Sequence, residues 1–334
     1  MFTLLLLFVS CQRDADLSNS EPSATIQTED ADISTPLQRL SSGLGMDVII
    51  RADAAPVYGP ILPYEGYTVR PVSIQIAEDF RVSAALWEPT DVSQKLGAIV
   101  AHGHFGEGKS SGEAQGVAHS LAMAGYVVLA IDTPGVEEGD RPNRQIHFDE
   151  GAENRSALEA AGSSAMALQL HGLMAGIDLL LTREDVEKIV ATGASGGAVQ
   201  VGYLALIDNR VDAVVMASYV PTPRSITAGG CLCDNVPGFL EPDGELLQGL
   251  TVPNLWISEL SPSDTSGVGP EGTAITIEGE HGYSIDMINA ALIWLNTIFQ
   301  TDRTTTITTL PNTPSNLLQS TSVGASGIVD ILAP

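Results

Sequence analysis

Apolar and polar positions follow two patterns in the central part of the chain, an alternation and a series of continuous apolar runs. Residues 72–76 and 82–87 alternate apolar and polar side chains on either side of Glu78 and Asp79, which predicts an antiparallel hairpin. Short continuous apolar runs come next, typical of strands that are buried on both faces. These runs are residues 98–101, 126–131, 188–192, 211–217, 254–257 and 273–277.

Helical segments separate the predicted strands, at residues 113–124, 157–181, 197–207 and 284–299. Regular alternation of strand and helix predicts an α/β protein with a mainly parallel sheet and helices on both faces. The leading hairpin adds antiparallel strands at one edge of that sheet.

The composition fits one large domain and excludes one class of partner. The chain has 334 residues, of which 44% are hydrophobic, so it can bury a sizeable core. With 41 acidic and 15 basic residues, its formal net charge is −26. A chain this acidic repels phosphates, so we expect no nucleic-acid partner.

The N-terminus carries a short apolar run that ends at a cysteine. Residues 1–9 are apolar but too few to span a bilayer, and Phe8-Val9-Ser10-Cys11 resembles a bacterial lipobox. Residues 1–11 therefore predict a signal segment with lipidation at Cys11, and the alternatives are an ordinary secretory signal or a short hydrophobic end. We expect an exported protein, either lipid-anchored to the cell envelope (outer membrane or surface) or secreted.

Two further segments show no periodic apolar pattern. They lie on either side of a predicted domain over residues 46–300. Residues 12–45 are rich in Ser, Thr, Asp and Glu, which predicts a disordered linker. Residues 301–334 form a Thr/Ser-rich C-terminal tail with weak apolar clusters, and we expect this tail to be loosely docked.

The pentapeptide Gly193-Ala194-Ser195-Gly196-Gly197 lies between a predicted strand and a predicted helix. This is the context that the Gly-x-Ser-x-Gly nucleophile elbow requires, because a sharp turn exposes the serine and small neighbours let strand and helix approach. Ser195 is therefore the predicted nucleophile.

A serine nucleophile needs a base and an acid that orients it. His281 is the only histidine after Ser195 and follows the last predicted strand, where the base falls in this chain order. The acid should follow the strand at residues 254–257. Asp264 is the preferred candidate and Glu259 the alternative.

Backbone N–H groups must stabilise the oxyanion that forms during ester cleavage. The predicted donors are Gly196, directly after the nucleophile, and His104, in the loop that follows residues 98–101. Metal binding by His102 and His104 is a weaker alternative, since no acidic third ligand is evident. We therefore predict no metal and no cofactor.

The remaining polar residues of interest have predicted structural roles. Asp132 ends a strand but precedes the nucleophile, so we expect it to form hydrogen bonds at the rim of the site rather than to complete the triad. His119, His147 and His171 are expected to be structural or surface residues.

Residues 190–197 resemble the elbow of bacterial α/β-hydrolases of the acetylxylan esterase-like, dienelactone hydrolase-related family. Residues 229–238, with Cys231 and Cys233, look like a Gly-Gly-Cys-x-Cys segment of those proteins. The resemblance covers about residues 65–300. It implies the α/β-hydrolase fold, a cap over the site at about residues 218–250, and ester cleavage on polysaccharide, deacetylation included.

The sequence thus predicts a serine carboxylic-ester hydrolase that works through a Ser-His-acid triad and an acyl-enzyme. The expected partner is a small-molecule or polysaccharide ester, and lipidated Cys11 would add membrane anchoring. Two alternatives remain: a peptidase or amidase of the same fold, and a non-catalytic glycan-binding surface lipoprotein. The pattern makes no prediction of oligomeric state.

Overall fold

The computed structural model describes residues 35–52, 54–91, 95–103, 108–218, 232–238, 249–259, 272–303, 313–320 and 323–332. Cys11, His104, Cys231 and Asp264 lie outside the described residues, as do the predicted signal segment, most of the predicted linker and most of the predicted cap.

Ten strands of the described residues join in one mixed sheet. Their order is β1-β3-β4-β6-β5-β7-β8-β9-β10, and β2 pairs with β3. Strands β5 to β10 are parallel to their neighbours among themselves, whereas β1 to β4 are antiparallel. The strands are β1 (Val57–Tyr58), β2 (Leu62–Tyr64), β3 (Tyr67–Ala77), β4 (Phe80–Pro89), β5 (Leu96–Ala101), β6 (Tyr126–Ile131), β7 (Lys188–Ala194), β8 (Val211–Ala217), β9 (Asn254–Ser258) and β10 (Gly272–Thr276).

The predicted N-terminal hairpin is confirmed, and it is longer than its periodic part. Strands β3 and β4 pair through most of their length and turn at residues 78 and 79. Asp79 takes the turn with a φ of 49°. The mainly parallel α/β sheet with an antiparallel edge agrees with the fold class that the sequence predicts.

Helices cover both faces of the sheet and bury one apolar cluster on each. One cluster joins the sheet to α1, α3, α4 and α5, and the other joins it to α2, α6 and α7. Ser111, Ser164 and Ser284 cap α2, α4 and α6 by accepting a backbone N–H, which satisfies one of the four free donors of a helix start. The helices are α1 (Pro36–Leu44), α2 (Gly112–Met123), α3 (Ala152–Ala160), α4 (Ala165–Leu181), α5 (Gly196–Ile207), α6 (Ile285–Phe299) and α7 (Ser315–Leu318).

The prediction of a single long helix over residues 157–181 is wrong. The chain breaks between α3 and α4, where Gly162 has a φ of 84° and Ser164 caps the second helix. Glycine in the left-handed region ends a helix, and a serine cap starts the next. Among the described residues no single helix is long and apolar enough to cross a membrane; only the bent pair Asp149–Ala160 and Ala165–Leu181, at 87°, reaches that length and composition.

The C-terminal end of the predicted linker is ordered, which corrects the boundary at residue 45. Thr35 and Gln38 form a capping box at the start of α1. The side chains of Leu40 and Leu44 are completely buried in the core. Two apolar side chains one helical turn apart suffice to dock this segment, although its surroundings are polar.

The described parts of the C-terminal tail are packed against the domain rather than loosely docked. Leu318, Val323, Ile328 and Ile331 are buried. Arg144, itself buried, donates to the carbonyl oxygens of residues 79, 81, 323 and 326. One guanidinium thus holds the tail to the β3–β4 turn.

Candidate active site

Ser195 lies in a strained turn between β7 and α5. Its φ is 53° and its ψ is −121°, values that a non-glycine residue adopts only when the surrounding structure imposes them. A Cβ at Gly193 would lie 2.6 Å from the backbone of Gly197, and one at Gly197 would lie 2.5 Å from the carbonyl oxygen of Ala101. Glycine is therefore required at both positions for the strand and helix to approach this closely.

The carboxyl ends of three parallel strands bring the candidate residues to one edge of the sheet. Ala194 of β7 pairs with Ala217 of β8, which pairs with Ile257 of β9. The residues that follow β7 and β8 continue this pairing. The N–H of Ser195 donates to the carbonyl oxygen of Ala217, and the N–H of Ser218 donates to that of Ile257. Neighbouring strands lie about 5 Å apart, so Ser195 and Ser218 are neighbours at this edge.

His281 forms a hydrogen bond with Glu259, the residue that follows β9. Nδ1 of His281 lies 2.7 Å from Oε1 of Glu259. The imidazole is more than half exposed, whereas Glu259 is only 14% exposed. Burial alone would raise the pKa of Glu259, but hydrogen bonds, foremost the one from His281, outweigh it and lower that pKa. The carboxylate is thus ionised and can hold the imidazole in one tautomer.

The His281 loop is held by contacts that the sequence did not signal. Oγ of Ser218 accepts the N–H of Gly282 at 3.2 Å and donates to its carbonyl oxygen at 2.5 Å. The N–H of Tyr283 donates to Oε2 of Glu113 at 2.9 Å. The Tyr283 hydroxyl shares a 3.0 Å hydrogen bond with Thr192 of β7. These contacts connect the loop to β7, the strand that directly precedes Ser195.

The predicted oxyanion loop begins beside the N-terminus of α5. A Cβ at Gly103 would lie 3.4 Å from the backbone nitrogens of Gly196 and Gly197. Those nitrogens belong to the first turn of a helix, where N–H groups have no acceptor within the helix. Gly196 is therefore suitably placed for the predicted donor role, and the described part of the loop lies against it.

Two buried glutamines connect this loop to the Cys233 segment. Nε2 of Gln200 donates to the carbonyl oxygen of His102 at 3.0 Å and to Oε1 of Gln169 at 2.8 Å. Nε2 of Gln169 donates to the carbonyl oxygen of Cys233 at 2.8 Å. Both glutamines interrupt apolar helical stretches, and a polar residue at a buried helix position is the signal that could have found them.

Asp132 has the structural role expected of it, and its partner is a buried lysine. Oδ2 of Asp132 lies 2.8 Å from Nζ of Lys109, and Oδ1 accepts the N–H of Lys109 at 2.6 Å. Burial raises the pKa of Asp132 to about 7, against the opposing pull of Lys109.

The other predicted structural histidines contact ordinary structural partners. Nδ1 of His119 lies 2.9 Å from the Tyr67 hydroxyl, and Nε2 of His171 lies 3.0 Å from the carbonyl oxygen of Met46. Burial lowers the pKa of both imidazoles. Nε2 of His147 lies 2.9 Å from the carbonyl oxygen of Pro134. Within the described ranges, no group of three His, Cys, Asp or Glu residues is placed to hold a metal ion.

Solved structures of esterases share this fold at low sequence identity. "Methylesterase BT1017" aligns with 87% of this chain and 71% of its own, with a TM-score of 0.66 and 21% identity. A glucuronoyl esterase from Solibacter usitatus covers 79% of this chain and 92% of its own, with a TM-score of 0.57 and 13% identity. An acetyl xylan esterase from Paenibacillus sp. R4 covers 81% and 95%, with a TM-score of 0.56 and 14% identity. No curated protein sequence is significantly similar to the chain.

The fold and the elbow at Ser195 define an α/β-hydrolase. The profile of the dienelactone hydrolase family matches residues 82–228, a segment that contains β5, the elbow and β8. This segment is thus similar to dienelactone hydrolases, and the predicted resemblance and the predicted α/β-hydrolase fold are confirmed.

Proposed function

We propose that the protein is a serine carboxylic-ester hydrolase with Ser195 as nucleophile, His281 as general base and Glu259 as the acid of the triad. The strained elbow at Ser195 is the observation that carries the proposal. A serine is held in this costly conformation where its hydroxyl must project from the sheet edge. The pairing of His281 with Glu259 supports the choice of base and acid.

The reaction would proceed in two steps that share one base. His281 takes the hydroxyl proton while Oγ of Ser195 attacks the ester carbonyl, and it then returns the proton to the leaving alcohol. A water molecule, deprotonated by the same imidazole, attacks the acyl-enzyme and releases the carboxylic acid and free Ser195. Glu259 stabilises the transient imidazolium, and the N–H of Gly196, with that of His104, would bind the oxyanion.

We further propose that the natural ester lies on a carbohydrate. The names of the structural neighbours include acetyl xylan esterase, methylesterase and glucuronoyl esterase. These esters differ in whether the sugar supplies the alcohol or the acid. Release of acetate from acetylated xylan and release of methanol from methyl-esterified polysaccharide distinguish the two.

Hydrolysis of 4-nitrophenyl acetate by the purified chain tests the chemistry, with Ser195→Ala as the active-site variant. We expect hydrolysis by the parent, no enzymatic rate above background for the variant, and labelling of Ser195 by a fluorophosphonate. Ser320→Ala is a matched control, because this serine contributes its backbone N–H rather than a described side-chain contact. A folded parent that neither hydrolyses the ester nor reacts with the probe would refute the proposal, and cleavage of peptide anilides alone would favour a peptidase.

Export and lipidation at Cys11 remain a proposal from the sequence. Expression of the full chain in a bacterium with labelled palmitate tests it, with Cys11→Ser as control. We expect label and membrane association in the parent and neither in the variant. Label in both proteins, or in neither, would contradict lipidation at Cys11.

A further inference from the structure

A second serine in a strained backbone conformation lies beside Ser195. Ser218 directly follows β8 and has a φ of 50°, close to the 53° of Ser195. Non-glycine residues keep a positive φ only where the surrounding structure imposes it, and such positions cluster at functional sites. Ser218 belongs neither to the elbow nor to the proposed triad, so its conformation needs another explanation.

The Ser218 hydroxyl holds both backbone polar groups of the residue that follows His281. Ser218 is only 2% exposed. Its Oγ accepts the N–H of Gly282 at 3.2 Å and donates to the carbonyl oxygen of Gly282 at 2.5 Å. Sδ of Met287 packs against the same oxygen at 3.7 Å. The buried hydroxyl thus fixes the His281 loop to the end of β8.

The same hydroxyl also reaches the acid of the proposed triad. Burial would raise the pKa of Glu259, and the hydrogen bond from Ser218 is one of those that, behind the one from His281, lower it. A hydroxyl carries a single proton, so at a given moment Ser218 donates either to Glu259 or to the carbonyl oxygen of Gly282. Ser218 therefore contacts both the loop that carries the base and the carboxylate that orients the base.

The His281 imidazole depends on its loop because the ring itself is loosely packed. Its side chain is 57% exposed, so packing alone leaves the ring free to move. Glu259 orients the ring through Nδ1, but the backbone of the loop decides where the ring lies. Displacement of a reacting group by about 1 Å can cost roughly 100-fold in rate. A fixed backbone at Gly282 therefore favours proton transfer from Ser195.

We propose that Ser218 is a positioning residue for general-base catalysis: its hydroxyl fixes the backbone after His281 and holds Glu259 beside the imidazole. The inference rests on the proposed esterase function. The contacts to Gly282 and Glu259 supply the surrounding structure that keeps the strained backbone of Ser218 in place. Ser218 acts through the base and the acid, and it takes no part in bond making.

Three substitutions of Ser218 separate the effect of the hydroxyl from that of the strained backbone. Ser218→Ala removes the hydroxyl, and Ser218→Gly removes it while it relieves the positive φ. Ser218→Thr keeps a hydroxyl but places a β-branched residue at a positive φ, which costs stability. A purely structural role predicts that kcat follows stability across this series, whereas a positioning role predicts that kcat follows the hydroxyl.

Kinetics of the full chain with 4-nitrophenyl acetate provide the measurement. We expect Ser218→Ala and Ser218→Gly to lower kcat about 10- to 100-fold per folded molecule, while KM changes much less. Ser218→Thr should recover part of kcat although it melts at a lower temperature. Labelling of Ser195 by a fluorophosphonate should slow in parallel, because this reaction needs the same base.

Ser120→Ala is the matched control for the loss of a buried hydroxyl. Ser120 is completely buried in α2 and donates to the carbonyl oxygen of Gly116 at 2.7 Å. We expect this variant to lose some thermal stability and to keep the parent kcat. Circular dichroism at the assay temperature measures the folded fraction of every variant, and Ser218→Gly decides where Ser218→Ala does not fold.

The results distinguish the positioning role from the esterase function. A folded parent that neither hydrolyses the ester nor reacts with the probe contradicts the esterase function itself. An active parent whose folded Ser218→Ala and Ser218→Gly variants keep kcat within about twofold overturns only the positioning role. The same conclusion follows if kcat tracks stability across the series, if KM alone rises, or if neither variant without the hydroxyl folds.

Discussion

At the residue scale, the carboxylate behind His281 is the first assignment to test. Glu259 follows β9 directly and lies 2.7 Å from Nδ1 of His281, while Asp264 was the preferred candidate from the sequence. Replacing the acid of a triad by its amide leaves the imidazole in the wrong tautomer and lowers kcat by up to about 10,000-fold. We expect Glu259→Gln to lower kcat by about 100- to 10,000-fold, measured with 4-nitrophenyl acetate.

Asp264→Asn is the matched control for that prediction. It makes the same chemical change five residues further along the chain, and we expect kcat within about twofold of the parent. A large loss in Asp264→Asn with an active Glu259→Gln would reverse the assignment.

A second residue-scale prediction concerns pH and Asp132. Burial raises the pKa of Asp132 to about 7, whereas an unfolded aspartate titrates near pH 4. Between these values the folded state holds a proton that the unfolded state has lost, so this group makes the protein less stable as the pH rises. Asp132→Asn lacks the effect. Its free energy of unfolding relative to the parent should therefore increase from pH 4 to pH 7, by at most roughly 4 kcal/mol.

Urea unfolding at several pH values measures the sign of this pH dependence. Asp185→Asn should show a pH dependence of the opposite sign. The Arg183 hydrogen bonds lower the pKa of Asp185, so this carboxylate stabilises the parent above pH 4 and stops doing so as the pH falls through the lowered pKa. The deficit of Asp185→Asn relative to the parent should shrink on acidification. Parallel slopes for the two variants would contradict the role of burial at Asp132.

At the element scale, the junction of β5, β7 and α5 depends on one close approach. A Cβ at Gly197 would lie 2.5 Å from the carbonyl oxygen of Ala101, so Gly197→Ala must separate α5 from β5. We expect this variant to lose about 1–3 kcal/mol of stability and most of its ester hydrolysis, because Ser195 and the Gly196 N–H move together.

Gly112→Ala controls for the change of residue type. Gly112 also lies in the first turn of a helix, and nothing lies within 4 Å of an added Cβ. Alanine favours a helix over glycine by up to about 1 kcal/mol, so unfolding of this variant in urea should shift slightly upwards or not at all. Equal losses of stability in the two variants would show that the loss at Gly197 comes from the changed backbone freedom and not from the contact with Ala101.

Local patterns predicted most elements because strand burial and helix period are visible in short windows. The predicted strands at residues 126–131 and 211–217 coincide with β6 and β8. The break before Ser164 was missed, since an apolar period continues across it. The choice of acid after β9 depended on the path of one loop, and contacts such as that of Gln200 with His102 join residues far apart in the chain. Such pairings are set by tertiary structure, which a window of sequence does not contain.

At the scale of the whole molecule, the C-terminal segment is part of the domain. Four of its apolar side chains are buried, and each such side chain is worth about 1.5–3 kcal/mol. A chain that ends at residue 312 should therefore lose on the order of 5 kcal/mol of stability, seen as a large drop in melting temperature. It also loses the Ser320 contact to Glu138.

Deletion of residues 1–34 is the control for shortening the chain. The sequence predicts a signal segment and a linker there, and we expect a melting temperature close to that of the full chain. A C-terminal truncation that melts like the parent would contradict the structural role of the tail.

A residue shortly after α1 meets the last residue that the structure describes. Ile49 and Leu332 form an antiparallel bridge, and the N–H of Ile50 donates to the carbonyl oxygen of Ile331. During synthesis residue 49 leaves the ribosome long before residue 332 is made, so this contact forms only after residue 332 has emerged. Contacts between residues so distant in sequence are slow to form. Until then the nascent chain lacks this contact, and a factor that captures unfolded chains has that whole interval in which to bind it.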